Sequence, residues 1–195
     1  MLKPLAKLVA LLTPKRRWAQ FSLGTMFLVV TLFCVWLAVV VDRANKQRDA
    51  VAAIKAVRGA QVFYDVDAPK YVNTFPKRFL RRWLPQDYLD EVVAIHLDGS
   101  DVSDADLAHL NELPALQELS INDTQVTDAG LGHLKSLTGL KGLLLEYNHP
   151  QLTDAGLKHL EGLTGLQSLL LSGTQVTDAG VSEFQKALPN CKIIR

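Results

Sequence analysis

The pentapeptide Thr-Asp-Ala-Gly-Leu stands at Thr127 to Leu131 and again at Thr153 to Leu157. Degenerate copies occupy Val102 to Leu107 (Val-Ser-Asp-Ala-Asp-Leu) and Thr177 to Val181 (Thr-Asp-Ala-Gly-Val). From Ser103 to Thr127, Thr153 and Thr177 the copies begin 24, 26 and 24 residues apart. A unit of that length cannot bury its apolar face alone and must stack on its neighbours. The fold of the C-terminal half is therefore that of one period, copied.

Between the pentapeptides the leucines align as Leu116-x-x-Leu119-x-Ile121-x-x-Thr124, Leu140-x-x-Leu143-x-Leu145-x-x-Asn148 and Leu166-x-x-Leu169-x-Leu171-x-x-Thr174. This is the spacing of leucine-rich repeats. A partial first copy runs from Val92 to Ser100, and a truncated last one ends at Cys191-Lys192-Ile193-Ile194-Arg195. The period of two in a strand sends Leu119 and Ile121 inward and Ser120 outward. The expected architecture is α/β: a short leucine-rich-repeat solenoid with a parallel concave sheet and helices on the convex face.

Ser100, Thr124, Asn148 and Thr174 follow the strands, where their side chains are expected to bond neighbouring turns. Ser103, Thr127, Thr153 and Thr177 suit helix N-caps, and Asp104, Asp128, Asp154 and Asp178 complement the helix dipoles. The recurring Asp is thus a helix-start device and not a catalytic carboxylate. Leu107 with Leu110, Leu131 with Leu134, Leu157 with Leu160 and Val181 with Phe184 form the buried helix pairs. Cys191 follows Leu188-Pro189-Asn190 as Leu116 follows Leu113-Pro114-Ala115, and is expected to fill a buried leucine slot.

Few residues point to chemistry. His109, His133 and His159 recur, but on separate helices without a nearby fourth ligand, and Glu183 replaces them in the last copy; they read as surface residues and not a metal site. No phosphate loop, nucleophile motif or cofactor signature stands out, so no enzyme is expected. The residues that vary between copies on the outward strand face are the candidates for protein binding: His96, Asp98, Ser120, Asn122, Leu144, Glu146, Tyr147, Leu170 and Ser172. Leu144 and Leu170 would form an apolar patch with an acidic rim. His149-Pro150, the extra length in the 26-residue period, adds a bulge beside Tyr147.

Charge is unevenly spread. Residues 1–20 carry five Lys/Arg and no acid, residues 42–97 carry ten against seven, and residues 98–195 carry six against 13. An acidic repeat region argues against nucleic acid, which requires clustered cations. From Phe21 to Val41, 21 consecutive residues lack charge. As a helix this stretch is about 31 Å long, matching a hydrocarbon core of about 30 Å. Trp18 and Trp36 lie toward its ends, and no small-residue cleavage pattern follows it.

Lys/Arg flank the span equally, with Lys3, Lys7, Lys15, Arg16 and Arg17 before it and Arg43, Lys46, Arg48, Lys55 and Arg58 after it. The compact Lys15-Arg16-Arg17 cluster favours a cytoplasmic tail and an extracytoplasmic repeat domain. The expected divisions are a basic tail (1–20), a transmembrane helix (21–41), a connector helix and N-terminal cap (42–91) and the repeat domain (92–195). Within the connector, Val51, Ile54 and Val57 recur at helical spacing up to a stop at Gly59, and Gln61 to Asp65 reads as a strand. The cluster Lys77-Arg78-Phe79-Leu80-Arg81-Arg82-Trp83 reads as a cap helix with Phe79, Leu80 and Trp83 inward.

Arg16-Arg17-Trp18-x-Gln20-Phe21-Ser22-Leu23 before the span, the connector Gln47 to Ile54 and the Thr-Asp-Ala-Gly-Leu copies together resemble the short membrane-anchored leucine-rich-repeat proteins of planctomycete bacteria. The resemblance covers nearly the whole chain and departs at Gly24, where an Arg is expected. It implies a ribonuclease-inhibitor-like curved solenoid at the cell envelope, and lends no catalytic residues. The leading expectation is a single-pass, membrane-tethered protein-interaction module without catalysis. The partner is then a protein of unknown identity, and the bilayer meets residues 21–41. The alternative is a structural envelope protein that self-associates into homo-oligomers. A weaker one is a substrate receptor of the F-box class, from Leu84-Pro85-x-x-Tyr88-Leu89-x-x-Val92, although too few residues precede the first repeat strand to hold that domain.

Overall fold

The structure, a computed structural model, describes residues 23–64, 90–148 and 151–195. The basic N-terminal tail, the expected Lys77–Trp83 cap helix, the F-box-like stretch from Leu84 and the His149-Pro150 bulge lie outside the described residues. By its contacts the chain divides into two units, residues 1–42 and 43–195.

Helix α1 runs from Leu23 to Ala56, so the expected span and connector helix form one element. No Gly or Pro interrupts the chain between Thr25 and Arg58, and nothing in the sequence breaks the backbone ladder there. In the first unit the large apolar side chains from Met26 to Val41 are exposed. The helix from Gly24 to Ala56 is, by length and composition, long and apolar enough to cross a membrane. Its Thr31 hydroxyl donates back to the carbonyls of Phe27 and Leu28, each at 2.9 Å, which satisfies the group without water.

In the second unit the end of α1 buries Ala50, Val51 and Ile54 and stops before Gly59, at φ +89°. Strand β1 (Gln61–Tyr64) follows and pairs antiparallel with β2 (Val92–His96). Two polar contacts pin this cap: Gln47 Nε2 donates to the Asp90 carbonyl at 2.7 Å, and Lys55 Nζ donates to the Tyr64 hydroxyl at 2.8 Å. Strands β3 (Glu118–Ser120), β4 (Gly142–Leu144), β5 (Ser168–Leu170) and β6 (Lys192–Ile194) extend the sheet in chain order, each parallel to the one before.

Between strands lie α2 (Asp104–Leu107), α3 (Asp128–Leu131), α4 (Asp154–Leu160) and α5 (Asp178–Ala187). The first two continue as 3-10 turns at Ala108–Glu112 and Gly132–Ser136. The register places Ile95, Leu119, Leu143, Leu169 and Ile193 side by side on the inner face. Facing them, Leu107, Leu110, Leu131, Leu134, Leu157, Leu160 and Phe184 are buried from the helices, so each copy closes its neighbour's apolar face. Cys191 is buried as expected, and burial pushes its thiol pKa up.

The pentapeptide does more than start helices. Asp104 accepts from the Thr127 N–H at 2.8 Å and the Thr127 hydroxyl at 2.6 Å. Asp128 does the same for Thr153 at 2.9 and 2.6 Å, and Asp154 for Thr177 at 2.7 and 2.6 Å. Each Thr hydroxyl meanwhile accepts from its own helix, from Ala129, Ala155 or Gly180 N–H. The slot thus needs a hydroxyl, which donates and accepts at once.

The glycine completes the device. A Cβ at Gly130, Gly156 or Gly180 would fall inside the carboxylate of Asp104, Asp128 or Asp154. The first copy follows no earlier pentapeptide in the sequence and carries Asp106 at the glycine slot. Asp106 Oδ2 accepts from the Ser103 N–H at 2.9 Å and the Ser103 hydroxyl at 2.6 Å, supplying from within the copy the carboxylate that later copies take from their neighbour. At the other end Asp178 pairs with Arg195.

Candidate binding face

The outward side of the sheet is set by the same register. One row runs His96, Ser120, Leu144, Leu170, Ile194, and a second runs Ala94, Glu118, Gly142, Ser168, Lys192. Beyond the strand ends, backbone hydrogen bonds stack four equivalent turn residues: Gly99, Asp123, Tyr147 and Gly173. All four have positive φ, at +60°, +53°, +61° and +73°. Gly, and to a lesser degree Asp, adopts this region readily; a tyrosine does so against the clash of its Cβ with the backbone.

The nine sequence-based candidates separate into two groups. Asp98, Ser120, Asn122 and Glu146 are tied together: Asp98 Oδ1 accepts from the Ser120 hydroxyl at 2.5 Å and the Asn122 N–H at 2.9 Å. Asn122 donates to Ser120 at 3.0 Å and accepts from the Glu146 N–H at 2.7 Å. Ser120 is only 2% exposed. Its outward direction is as expected, yet it forms the floor of a polar network joining three turns and is closed to a ligand.

His96 lies against Phe63 of β1, with ring centroids 4.8 Å apart, and its Nε2 is 3.8 Å from Glu118 Oε1. Leu144 and Leu170 are direct cross-strand neighbours, both half-buried. Tyr147 is 67% exposed, and its ring lies over Gly173, whose Cβ, if present, would be 3.0 Å from Tyr147 Cδ1. Ser172 lends its carbonyl to the Tyr147 N–H at 2.7 Å.

Two further members belong to this face, of which Ile194 escapes the leucine pattern. Ile194 stands beside Leu170 at 40% exposure and lengthens the apolar row to three strands. The final copy is one residue short: Lys192, one past buried Cys191, pairs with Ser168, two past buried Leu166. The second is Asp123, which the sequence already offers among the outward residues; it shares its slot with Tyr147 and is an acid where Gly99 and Gly173 hold glycine. An open cleft of about 610 Å³ lies at the start of α2, between Asp101, Val102, Ser103, Asp104, Ala105 and Gln125, but the Asp104 carboxylate there is already held by Thr127.

No family model matches the sequence, and no curated protein does. Among solved structures, a leucine-rich-repeat protein of Leptospira interrogans is similar over 44% of this chain and 27% of its own, at 23% identity and a TM-score of 0.33. An internalin of Listeria monocytogenes is similar over 45% of this chain and 30% of its own, at 24% identity and a TM-score of 0.33. The matched region spans less than a third of either neighbour's length.

Proposed function

We propose that this chain is a single-pass, membrane-tethered leucine-rich-repeat solenoid, of the planctomycete type with ribonuclease-inhibitor-like curvature, that binds another protein through the outward, concave face of its sheet. One observation carries the reading. Leu144, Leu170 and Ile194 stand in register as an apolar row, with the exposed Tyr147 in the turn that follows β4. Contiguous apolar surface outside a core marks interaction sites, and aromatic side chains at its centre are typical anchors. The apolar part of α1 supports the tether, with the repeat domain outside the cytoplasm and no catalytic role.

The test is recovery of partners from detergent extracts with the wild-type chain and with Leu144→Glu combined with Leu170→Glu. The double variant is expected to lose them, whereas an unchanged partner set sinks the binding face. Alkaline extraction of membranes tests the tether, since release of the chain would overturn it. Protease access to the repeat domain in intact cells tests the side.

A further inference from the structure

Resting on that binding reading, we infer that the partner presents an extended segment in which aliphatic side chains sit beside a lysine or arginine, the cation being taken by Tyr147, Glu146 and Asp123. The groups on this face are not equally available. Asp98 is bonded to Ser120 and Asn122, Asn122 to Glu146 N–H, and Glu118 faces His96. Among the described residues, what remains open is the row Leu144, Leu170 and Ile194, the Tyr147 ring, and the carboxylates of Glu146 and Asp123.

These open groups adjoin one another. Asp123 and Tyr147 fill equivalent slots in successive turns, and the Asp123 N–H donates to the Glu146 carbonyl at 3.0 Å. Adjacent strands lie about 4.8 Å apart, so Glu146 and Tyr147 follow the Asp123 turn by one strand spacing, and the Tyr147 ring lies by Gly173 of the next turn. Lys141 and Lys192 stand at the opposite, N-terminal ends of their strands, and Lys141 Nζ is engaged by Gln117 Oε1 at 2.8 Å. No base neutralises the turn side among the described residues.

The apolar row sets the rest of the specificity. It crosses β4, β5 and β6, and Gly142, in the row alongside, leaves no side chain between Glu118 and Ser168. An aliphatic side chain lying on Leu144 and Leu170 places its neighbour toward Tyr147. The acidic balance of residues 98–195, six bases against 13 acids, adds long-range attraction for such a segment and repels an acidic one.

The experiment uses the full chain in detergent micelles and two fluorescent decapeptides, one alternating leucine with arginine and one alternating leucine with glutamate. The arginine peptide is expected to bind about tenfold more tightly or better at 0.15 M salt, with the difference shrinking at higher salt. Glu146→Gln combined with Asp123→Asn should remove most of that preference. Tyr147→Gly, which the backbone accepts without strain, should weaken the arginine peptide by about two- to fivefold with no loss of thermal stability. Leu144→Glu with Leu170→Glu should abolish binding of both peptides. Equal binding of the two peptides, lost in the leucine variant, overturns the cation preference and leaves the binding face standing. Binding of neither, or binding indifferent to the leucine variant, overturns both.

Discussion

The Asp154 carboxylate accepts two hydrogen bonds from Thr177, one from its N–H and one from its hydroxyl, in the space that a side chain at Gly180 would otherwise take. Gly180→Ala alone must therefore displace the clamp and is expected to cost about 1–3 kcal/mol, the range for losing charge-assisted bonds. With Asp154→Ala already in place the space is empty. The same Gly180→Ala should then stabilise the helix by up to about 1 kcal/mol through propensity. Urea unfolding of the four proteins in mild detergent checks this, and additive effects would rule the clamp out.

Asp106 makes the same two bonds within its own copy, from Ser103. Asp106→Gly copies the later repeats at this slot, yet it should destabilise α2 by about 1 kcal/mol, because among the described residues no preceding Asp bonds to Ser103 to replace the lost cap. Faster amide exchange in the first turn of α2, with α4 unaffected, is the expected signature. Unchanged exchange there would show that Ser103 needs no carboxylate.

Acid should loosen this hydrogen-bonded series. The side-chain bond from Ser103, then the backbone bond, holds Asp106 below the ordinary carboxylate range, and the bonds from Thr177 do the same for Asp154. A depressed folded-state pKa means stability that is present above the unfolded value of 3.8 and lost as pH falls through the lower folded value. Thermal midpoints are expected to be flat above about pH 5 and to drop below about pH 4. The drop should be shallower in Asp106→Asn with Asp154→Asn; an identical slope would assign acid sensitivity elsewhere.

Asn148 is fully buried, accepts from the Thr124 N–H and hydroxyl and donates to the Ile121 carbonyl. Its removal as Asn148→Ala leaves the Thr124 N–H and the Ile121 carbonyl of the preceding turn without these partners and should cost about 2–4 kcal/mol. Thr174 occupies the equivalent slot but its hydroxyl bonds locally, donating to the Leu171 carbonyl at 2.7 Å and accepting from the Val176 N–H at 3.4 Å. Thr174→Val should cost about 1 kcal/mol or less. Equal losses, measured by chemical denaturation, would contradict a bridging role for Asn148.

Leucine spacing made the inner face legible, because burial alternates strictly in a strand: Leu119, Leu143 and Leu169 are inward and in register. The role of the recurring Asp was half legible. Its place at a helix start is visible within one copy, but its partners lie one period further along the chain and are brought near only by stacking. Ser120 looks open because its direction follows from alternation, whereas its burial depends on Asp98 from the preceding turn and Asn122 from its own. Ile194 was hidden by a missing residue, which shifts the last strand against the leucine count. Tyr147 was picked out as variable, but its positive φ depends on the stacked turns.

The exchange of glycine for Asp106 gives the array a polarity of assembly. Copies beginning at Thr127, Thr153 and Thr177 take a carboxylate from the preceding unit, and those at Thr127 and Thr153 also pass one on, so these two are interchangeable as modules. A whole period inserted or deleted among them would leave every Asp-to-Thr joint intact, although deleting the copy that holds Asn148 would remove its bridge to Thr124. The Ser103 unit is different: moved inward, its Asp106 would meet the carboxylate offered from before. Length in this protein is thus free to vary at the middle, while the starting copy is identified by one side chain.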